Sequence, residues 1–178
     1  AIRAHFCVAD DAEITLESNP GTLDFEKLAG YRRAGINRLS MGLQSACDKE
    51  LAMLGRIHNF DTFVQNYKQA RRAGFENINV DLMSALPGQT VESWEQTLVK
   101  TAELAPEHLS AYSLIIEEGT PFWNWYGEDA NQTLRPKEML PLPSEEDERR
   151  MYARTREILE QYGYHRYEIS NYAKDGYA

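Results

Sequence analysis

The sequence predicts an α/β fold in one domain, residues 1–178, built on a parallel β-sheet. Short apolar segments typical of strands alternate along the chain with segments whose apolar residues recur at helical spacing. The connections between successive strands are long enough to hold a helix, which parallel strands require and antiparallel strands do not. This order favours a complete or partial barrel, or an open doubly wound sheet.

Turn and capping residues set the bounds of the predicted elements. Gly35, Gly74 and Gly163 follow helical segments and are typical helix stops. Thr90 is a good N-cap, and Pro106 ends a helix because it cannot donate a backbone hydrogen bond. The predicted strands are 14–19, 36–45, 78–83, 108–116 and 164–172, and the predicted helices are 23–34, 48–54, 59–73, 91–104 and 144–162.

Two stretches fall outside this alternation. Residues 1–12 are predicted to be the tail of an earlier element and a polar approach to the first strand. Residues 117–143 form a long connection with several prolines, and long connections in compact domains are often lids or binding loops. Within it, the aromatic cluster 122–126 could form a stacking surface for a flat ligand, or could pack the loop itself.

Composition argues against several classes of protein. A net charge of -9 and a pI near 5.0 argue against nonspecific nucleic-acid binding, which needs a basic face. No apolar run approaches the length of a membrane span, and residues 1–5 lack the features of a secretion signal. Cys7 and Cys47 lie 40 residues apart with no C-x-x-C grouping. They could form one disulfide, but we expect two unrelated thiols of a cytoplasmic protein.

Polar side chains stand at or near the ends of the first three predicted strands: Glu17, Gln44 and Asp81. Burying a carboxylate or an amide there costs free energy unless it has a partner or a ligand. Because the carboxyl ends of parallel strands hold the ligand in α/β folds, we expect the three side chains to share one cavity. The alternative for each residue is that it caps a loop or bonds a neighbour.

Other candidate residues are ambiguous. Arg56 could bind a ligand carboxylate through two parallel hydrogen bonds, or could be a solvated surface arginine. His58 has no partner nucleophile in a G-x-S-x-G elbow. The chain has no phosphate loop and no G-x-G-x-x-G, so a nucleoside triphosphate or a dinucleotide is not expected. The turn at 87–90 could present backbone N–H groups, or could be only a turn and a cap.

Several long strings in this order resemble one known family. The strings at 16–22 (LESNPGT), 34–44 (AGINRLSMGLQ), 54–58 (LGRIH) and 79–90 (NVDLMSALPGQT) resemble radical S-adenosylmethionine proteins related to oxygen-independent coproporphyrinogen III oxidase. Strings at 109–114, 118–122 and 164–172 are similar to the branch regarded as heme chaperones. The resemblance covers about residues 12–176, and it implies a partial, open TIM-like barrel as the fold.

The resemblance also implies a site for S-adenosylmethionine. By that analogy, Arg56 takes the methionine carboxylate, while Gln44 and Asp81 bind polar groups such as the ribose hydroxyls. Glu17 bonds a further polar group of the cofactor, and Ile115 packs near the adenine. No catalytic residue and no metal ligand of this chain is implied.

Parts of the family pattern are missing from this sequence. The C-x-x-x-C-x-x-C motif that holds the [4Fe–4S] cluster does not occur, and neither does the Gly-Gly-Thr-Pro stretch that meets the methionine amino group. The C-terminal His-Asn…Tyr-Trp signature of the heme-chaperone branch is also absent, and Ala85 stands where a glycine is usual. We therefore expect the chain to be the central segment of a larger protein and unable to reduce S-adenosylmethionine alone.

The function implied by the resemblance is that of a heme chaperone, which binds and transfers heme, with S-adenosylmethionine and a [4Fe–4S] cluster as cofactors of the full-length parent. The alternative is an oxygen-independent coproporphyrinogen III dehydrogenase, which uses a 5′-deoxyadenosyl radical to convert propionate side chains to vinyls. An unrelated barrel enzyme with Glu17 and Asp81 as acid and base is a third hypothesis. The expected partners are a small-molecule cofactor and a porphyrin or heme, and the sequence does not identify the electron donor.

Overall fold

The computed structural model describes residues 2–128, 130–131, 133 and 135–178. The five predicted helices are present with bounds within two residues at either end, and the short helices at Ile2–His5 and Pro121–Tyr126 were not predicted. The strands are β1 (Thr15–Ser18), β2 (Arg38–Gln44), β3 (Asn77–Ser84), β4 (His108–Ser113), β5 (His165–Arg166) and β6 (Asn171–Ala173). The helices are α1 (Ile2–His5), α2 (Phe25–Arg33), α3 (Asp48–Met53), α4 (Phe60–Arg72), α5 (Val91–Ala102), α6 (Pro121–Tyr126) and α7 (Glu145–Gln161).

The described strands form a single sheet in the order β1-β2-β3-β4-β6-β5. Strands β1 to β4 are parallel neighbours, whereas β6 runs antiparallel to β4 and β5 runs antiparallel to β6. Because β1 and β5 remain edges of this sheet, the strands do not close into a full barrel. This open and mostly parallel arrangement confirms the predicted α/β partial barrel.

The sheet has one apolar face and one polar face, because side chains alternate along each strand. On β2, Leu39, Met41 and Leu43 are fully buried, and they belong to a single core cluster with residues of α2, α4, α5 and α7. The intervening residues of the central strands point to the opposite face, which we call the polar face. It includes Thr15, Glu17, Ser40, Gly42, Gln44, Asn79, Asp81, His108, Ser110 and Tyr112.

The helix boundaries follow from local chemistry. Side chains of Asn59, Thr90 and Ser144 accept hydrogen bonds from the first turns of α4, α5 and α7, which satisfies backbone N–H groups that have no helical partner. Gly35 and Gly74 follow α2 and α4 with φ of 97° and 91°, a left-handed conformation that costs glycine little. No helix in the described part of the chain is both long enough and apolar enough to cross a membrane.

The predicted strand at 164–172 is wrong, because this segment forms the antiparallel hairpin β5–β6. The Glu168 carboxylate accepts hydrogen bonds from the Ser170 backbone N–H and the Asn171 side chain, at 3.2 and 3.0 Å, and so closes a turn in the middle of the segment. The Tyr167 N–H then donates to the Asn171 carbonyl across the hairpin. Alternating side chains fit both one strand and a hairpin, and the turn decides between them.

The region after β4 also departs from prediction. β4 ends at Ser113 rather than 116, and the predicted connection at 117–143 contains the short helix α6, whose N-cap is Thr120 and whose first residue is Pro121. Proline fits this first position because its missing N–H would have had no helical partner there. Positions 129, 132 and 134 of the predicted connection lie outside the described residues.

Trp94 links α5 to α7 and gives a test of the core. Its side chain is 1% exposed, and its indole Nε1–H donates to Thr155 Oγ1 at 2.9 Å. We expect Trp94→Ala to lower the free energy of unfolding by about 3–5 kcal/mol, because it leaves a large cavity. Trp94→Phe keeps most of the side-chain volume and removes mainly the hydrogen bond, so it should lower the free energy of unfolding clearly less than Trp94→Ala does.

The measurement is urea unfolding followed by circular dichroism at pH 7. Trp125→Ala, in the half-buried aromatic cluster of α6, serves as the control and should change stability far less. Equal losses for Trp94→Ala and Trp125→Ala would contradict the packing described for α5 and α7.

Candidate functional site

A polar cavity of about 390 Å³ lies where β1, β2 and β3 approach their carboxyl ends. Glu17, Gln44 and Asp81 all line it, so the structure brings together the three residues singled out in the sequence. The register explains the convergence of Glu17 and Asp81, since Glu17 pairs with Ser40 and Asp81 pairs with Gly42 across adjacent strands. The pairing of β2 with β3 is irregular between Gly42 and Gln44, so Gln44 reaches the cavity through its own backbone conformation. The full lining is Glu17, Ser18, Asn19, Ser40, Gly42, Gln44, Asp81 and Tyr112.

Gln44 turns back over the cavity from the last position of β2. Its φ of 71° is left-handed, a conformation that costs a non-glycine residue about 1–2 kcal/mol and persists only where the surroundings hold it. Its side chain is 4% exposed, and its Oε1 accepts a hydrogen bond from the Tyr112 hydroxyl at 3.3 Å. At Gly42, an added Cβ would come within 2.9 Å of Gln44 Nε2. Glycine at position 42 therefore leaves room for this amide.

His58 lies behind the same turn and supports it. Its ring is 5% exposed, and Nε2 lies 3.3 Å from the carbonyl oxygen of Leu43, the residue before Gln44. Because a carbonyl only accepts, Nε2 carries the proton. Burial lowers the pKa of His58, which favours this neutral form. The contact indicates a structural role for His58 at the end of β2.

Asp81 is a partly buried carboxylate with donors already in place. Asn79 Nδ2 donates to Oδ1 at 2.7 Å, and Ser40 Oγ donates to Oδ2 at 3.1 Å. Burial raises the pKa of Asp81, the two hydrogen bonds oppose that rise, and nearby Glu17 adds to it. A carboxylate has about four lone-pair sites, so Asp81 retains acceptor capacity for ligand hydroxyl groups.

Arg56 lies beside the main cavity rather than in it. It lines an adjoining cavity of about 240 Å³, and its Nη1 donates to Asn19 Oδ1 at 3.3 Å. Asn19 lines both cavities, so it connects them. In the part of the chain that the structure describes, no carboxylate forms an ion pair with Arg56. Its guanidinium is therefore available to an anionic ligand.

Ile115 is not brought to either cavity. It lies two residues beyond the end of β4 with 75% of its surface exposed. An apolar side chain at this position could be covered by a flat ligand, but the contact is not formed by the residues described. Its assignment as an adenine contact stays a prediction.

Glu50 connects the loops that carry the cavity residues. Its side chain is 4% exposed, and its carboxylate accepts hydrogen bonds from Ser45 Oγ at 2.5 Å, Gln89 Nε2 at 2.9 Å and Ser93 Oγ at 2.7 Å. Ser45 follows Gln44, Gln89 lies in the turn after β3, and Ser93 lies in the first turn of α5. A buried carboxylate needs such donors, so it fixes the two loops relative to each other.

Some cavity residues were not among the sequence candidates. Ser40 and Gly42 alternate with the apolar residues of β2 and so share a face with Gln44, which is a readable signal. Asn19 follows the same alternation from Glu17. Tyr112 belongs to β4, and only the pairing of β4 with β3 brings its hydroxyl to Gln44, 68 positions away in the chain.

The described residues do not fit a [4Fe–4S] cluster. They contain no group of three or more His, Cys, Asp or Glu residues arranged to hold a metal ion. Cys7 is exposed and Cys47 is half-buried, and both are free thiols. Iron–sulfur clusters are held mainly by sets of cysteine thiolates, so these two residues are not a ligand set.

An open α/β barrel of mostly parallel strands, with a polar cavity at their carboxyl ends, is typical of a ligand-binding barrel protein. Residues 1–100 match the Radical SAM superfamily, and the chain belongs to this superfamily. The family predicted from the sequence is thereby confirmed. Membership implies S-adenosylmethionine and a [4Fe–4S] cluster as the cofactors of such a protein.

Two individual proteins are similar in sequence to nearly all of this chain. The chain is 42% identical over 168 residues to "Heme chaperone HemW" of Bacillus subtilis and 39% identical over 176 residues to the protein of the same name from Escherichia coli. These alignments cover 94% and 99% of this chain, but only 42% and 43% of the relatives. The chain therefore spans about two fifths of their length, and its being the central part of a larger protein stays a prediction.

A solved structure shows the same architecture. Coproporphyrinogen III oxidase (HemN) from Escherichia coli, described as a radical SAM enzyme, superposes with a TM-score of 0.81 and 29% sequence identity. The match covers 98% of this chain and 38% of that one. An archaeal Elp3 from Methanocaldococcus infernus, at 16% identity and a TM-score of 0.67, shares the fold.

The raised pKa of Asp81 gives a test of the site that needs no ligand. Between its ordinary value of 3.8 and the higher pKa in the folded chain, folded Asp81 holds a proton that the unfolded chain releases. Stability from this group therefore falls as the pH rises through that window, by about 1.4 kcal/mol for each pKa unit separating the two states. We expect Asp81→Asn to raise the free energy of unfolding at pH 7, with the gain shrinking as the pH approaches 4.

The measurement is urea unfolding of both proteins at several pH values from 4 to 7. Asp10→Asn is the matched control, because Asp10 is exposed and should show no such difference. A variant that is less stable than the wild type at pH 7, with a gap that does not depend on pH, would contradict the electrostatic cost assigned to Asp81.

Proposed function

We propose that this chain forms the S-adenosylmethionine-binding face of a heme chaperone, a radical SAM protein that binds heme and transfers it. The observation that carries the proposal is the convergence of Glu17, Gln44 and Asp81 on one cavity of a radical SAM barrel. The relatives named heme chaperones, at 42% and 39% identity over nearly the whole chain, supply the branch within the superfamily.

The cavity fits the polar part of this cofactor. Its volume of about 390 Å³ lies within the range of small-molecule sites, which runs from about 300 to 1,000 Å³. Asp81 accepts from ribose hydroxyls with its remaining lone pairs, and the Gln44 amide offers both a donor and an acceptor. Glu17, exposed on the edge strand, accepts a further bond from the cofactor. Gly42 keeps the approach to these groups open.

Arg56 supplies the charge for the amino-acid end of the cofactor. Its guanidinium lies in the cavity that adjoins the polar one through Asn19, so an extended ligand can reach both. Guanidinium–carboxylate pairs with two parallel hydrogen bonds are strong and oriented. We therefore assign Arg56 to the methionine carboxylate.

These residues bind and orient the cofactor, and they do not carry out the electron transfer. Bound S-adenosylmethionine supplies radical chemistry when it is reduced by a cluster, for which the described residues offer no ligand set. The contribution of this chain is therefore to hold the ribose, to neutralise the carboxylate and to shelter both groups on the polar face. These binding roles do not identify the protein that donates the electron.

A second candidate is an oxygen-independent coproporphyrinogen III dehydrogenase. The TM-score of 0.81 to coproporphyrinogen III oxidase favours it, since the same cavity serves an oxidase equally well. The identity is lower, however, at 29% against 42% and 39% for the heme chaperones. We therefore place heme binding first and porphyrinogen oxidation second. In both cases the expected partner is a porphyrin or heme in the cytoplasm, and the net charge of -9 disfavours nucleic acid.

Ligand selectivity tests the cofactor site directly. Asp81→Asn should weaken both S-adenosylhomocysteine and 5′-deoxyadenosine, since both carry the ribose. Arg56→Ala should weaken S-adenosylhomocysteine by roughly tenfold to a hundredfold and leave 5′-deoxyadenosine nearly unchanged, because only the first has a carboxylate. Isothermal titration calorimetry measures the affinity of each ligand for the wild type and for both variants.

Arg149→Ala is the control for the loss of a positive charge, because Arg149 is exposed on α7, away from both cavities. The cofactor site would be refuted by equal losses for both ligands in Arg56→Ala, or by unchanged affinities in Asp81→Asn.

Heme binding and porphyrinogen turnover separate the two functions, and this assay uses the intact gene product with its cluster loaded. We expect stoichiometric heme binding, seen as a Soret band on titration, together with heme transfer to an acceptor protein and no conversion of coproporphyrinogen III. Formation of protoporphyrinogen IX without stable heme binding would reverse the order of the two candidates.

A further inference from the structure

A chain of hydrogen bonds leads from the C-terminal hairpin to the cavity. The Tyr167 hydroxyl lies 2.7 Å from His108 Nε2, and His108 Nδ1 lies 2.6 Å from Asn79 Oδ1. Asn79 Nδ2 in turn lies 2.7 Å from Asp81 Oδ1 and 2.8 Å from Ser40 Oγ. Tyr167, His108 and Asn79 do not line the cavity, but the series of hydrogen bonds ends on the Asp81 carboxylate, which does.

The chemistry of these groups fixes the direction of every bond. An ionised carboxylate only accepts, so the amide nitrogen of Asn79 must face Asp81 and its oxygen must face His108. His108 therefore donates from Nδ1, which leaves Nε2 as an acceptor for the Tyr167 hydroxyl. Each member thus orients the next: Tyr167 and Asn79 select the Nδ1–H tautomer of His108, and His108 holds the amide of Asn79.

Burial makes this arrangement costly to break. Asn79 and His108 are each 3% exposed, so a lost bond would leave a polar atom with no access to water. Burial, with a smaller effect of Arg38, lowers the pKa of His108 to about 4, so the ring is neutral at pH 7, as the chain requires. The Glu13 carboxylate opposes this lowering of the pKa, and the Tyr167 hydroxyl faces the His108 ring at Nε2.

Tyr167 is the accessible end of the chain. Its side chain is 50% exposed and lies in the hairpin between β5 and β6, and the Ser170 carbonyl of the same turn accepts from the Ala111 N–H of β4 at 2.7 Å. Removing the hydroxyl therefore deletes one link without opening the core. The hairpin and Asp81 belong to segments that are distant in sequence, so only the folded sheet joins them.

We propose that Tyr167, His108 and Asn79 are positioning residues, which hold the Asp81 carboxylate in the orientation that the cofactor requires and tie the C-terminal hairpin to the cofactor cavity. The proposal rests on the proposed function in one respect, because that function makes Asp81 a ligand residue. The geometry of the hydrogen bonds from Tyr167 to Asp81 does not depend on that function.

A double-mutant cycle tests the connection. Tyr167→Phe should weaken S-adenosylhomocysteine binding by roughly three- to tenfold, the effect of one hydrogen bond, although Tyr167 does not touch the ligand. Asn79→Ala should weaken binding more, and adding Tyr167→Phe to it should cause no further loss, because the chain is already cut. Tyr152→Phe is the matched control. Tyr152 is 49% exposed on α7, and its hydroxyl accepts a hydrogen bond from Arg166, which is not part of the series that links Tyr167 to Asp81.

A second measurement keeps the test decisive if Asn79→Ala does not fold or if the wild type binds no ligand. Nitrogen-15 NMR of the histidine rings in the wild type should show His108 as the Nδ1–H tautomer at pH 7. In Tyr167→Phe, the Asp81 carboxyl carbon resonance should shift, while Tyr152→Phe leaves it in place.

The outcomes separate the two proposals. Absence of binding by the wild type, with the His108 tautomer and the Asp81 shift as expected, refutes the proposed function and leaves the hydrogen-bond chain standing. An Nε2–H tautomer, an unmoved Asp81 resonance, or equal losses from Tyr167→Phe in both backgrounds overturns the positioning role.

Discussion

Alternation of side chains along β2 and β3, regular as far as Gly42 on β2, is the constraint on which the rest of the molecule depends. On β2, Leu39, Met41 and Leu43 pack under the helices, and the residues between them build the polar face. Because the side-chain period of a strand is two, a slip of one residue would exchange the core with the site. The helices therefore keep the cavity in register simply by burying the apolar face.

The loops above the strands depend on a second constraint, the buried carboxylate of Glu50. The three donors Ser45, Gln89 and Ser93 come from three different segments, and all are neutral. A charge without water is tolerated only while such donors remain, so the loops are free to move only if they move together. This arrangement holds the left-handed turn at Gln44, which a flexible loop would lose.

Much of the fold and part of the site follow from the sequence. The β-α order, the helix caps and the convergence of Glu17, Gln44 and Asp81 depend on local patterns and on the geometry of parallel strands, so they could be predicted. The hairpin does not follow from the alternation of residues 164–172, which fits a single strand equally well. Its turn depends on local hydrogen bonds of Glu168, and only its antiparallel pairing with β4 depends on tertiary contacts. The adjoining cavity of Arg56 and the contact between Tyr167 and His108, 59 positions apart, also depend on tertiary contacts and could not be predicted from local patterns.

Asn79 has a consequence for how this sequence can vary. Its amide gives both donors and its oxygen to neighbours, so no other residue of similar size reproduces it. Aspartate would set two carboxylates against each other, and leucine would leave His108 Nδ1 and Asp81 Oδ1 without the partner that Asn79 provides. A change at position 79 is therefore tolerable only together with a change at 81 or 108. These positions should evolve as one unit, and a related chain should carry all of this set or none of it.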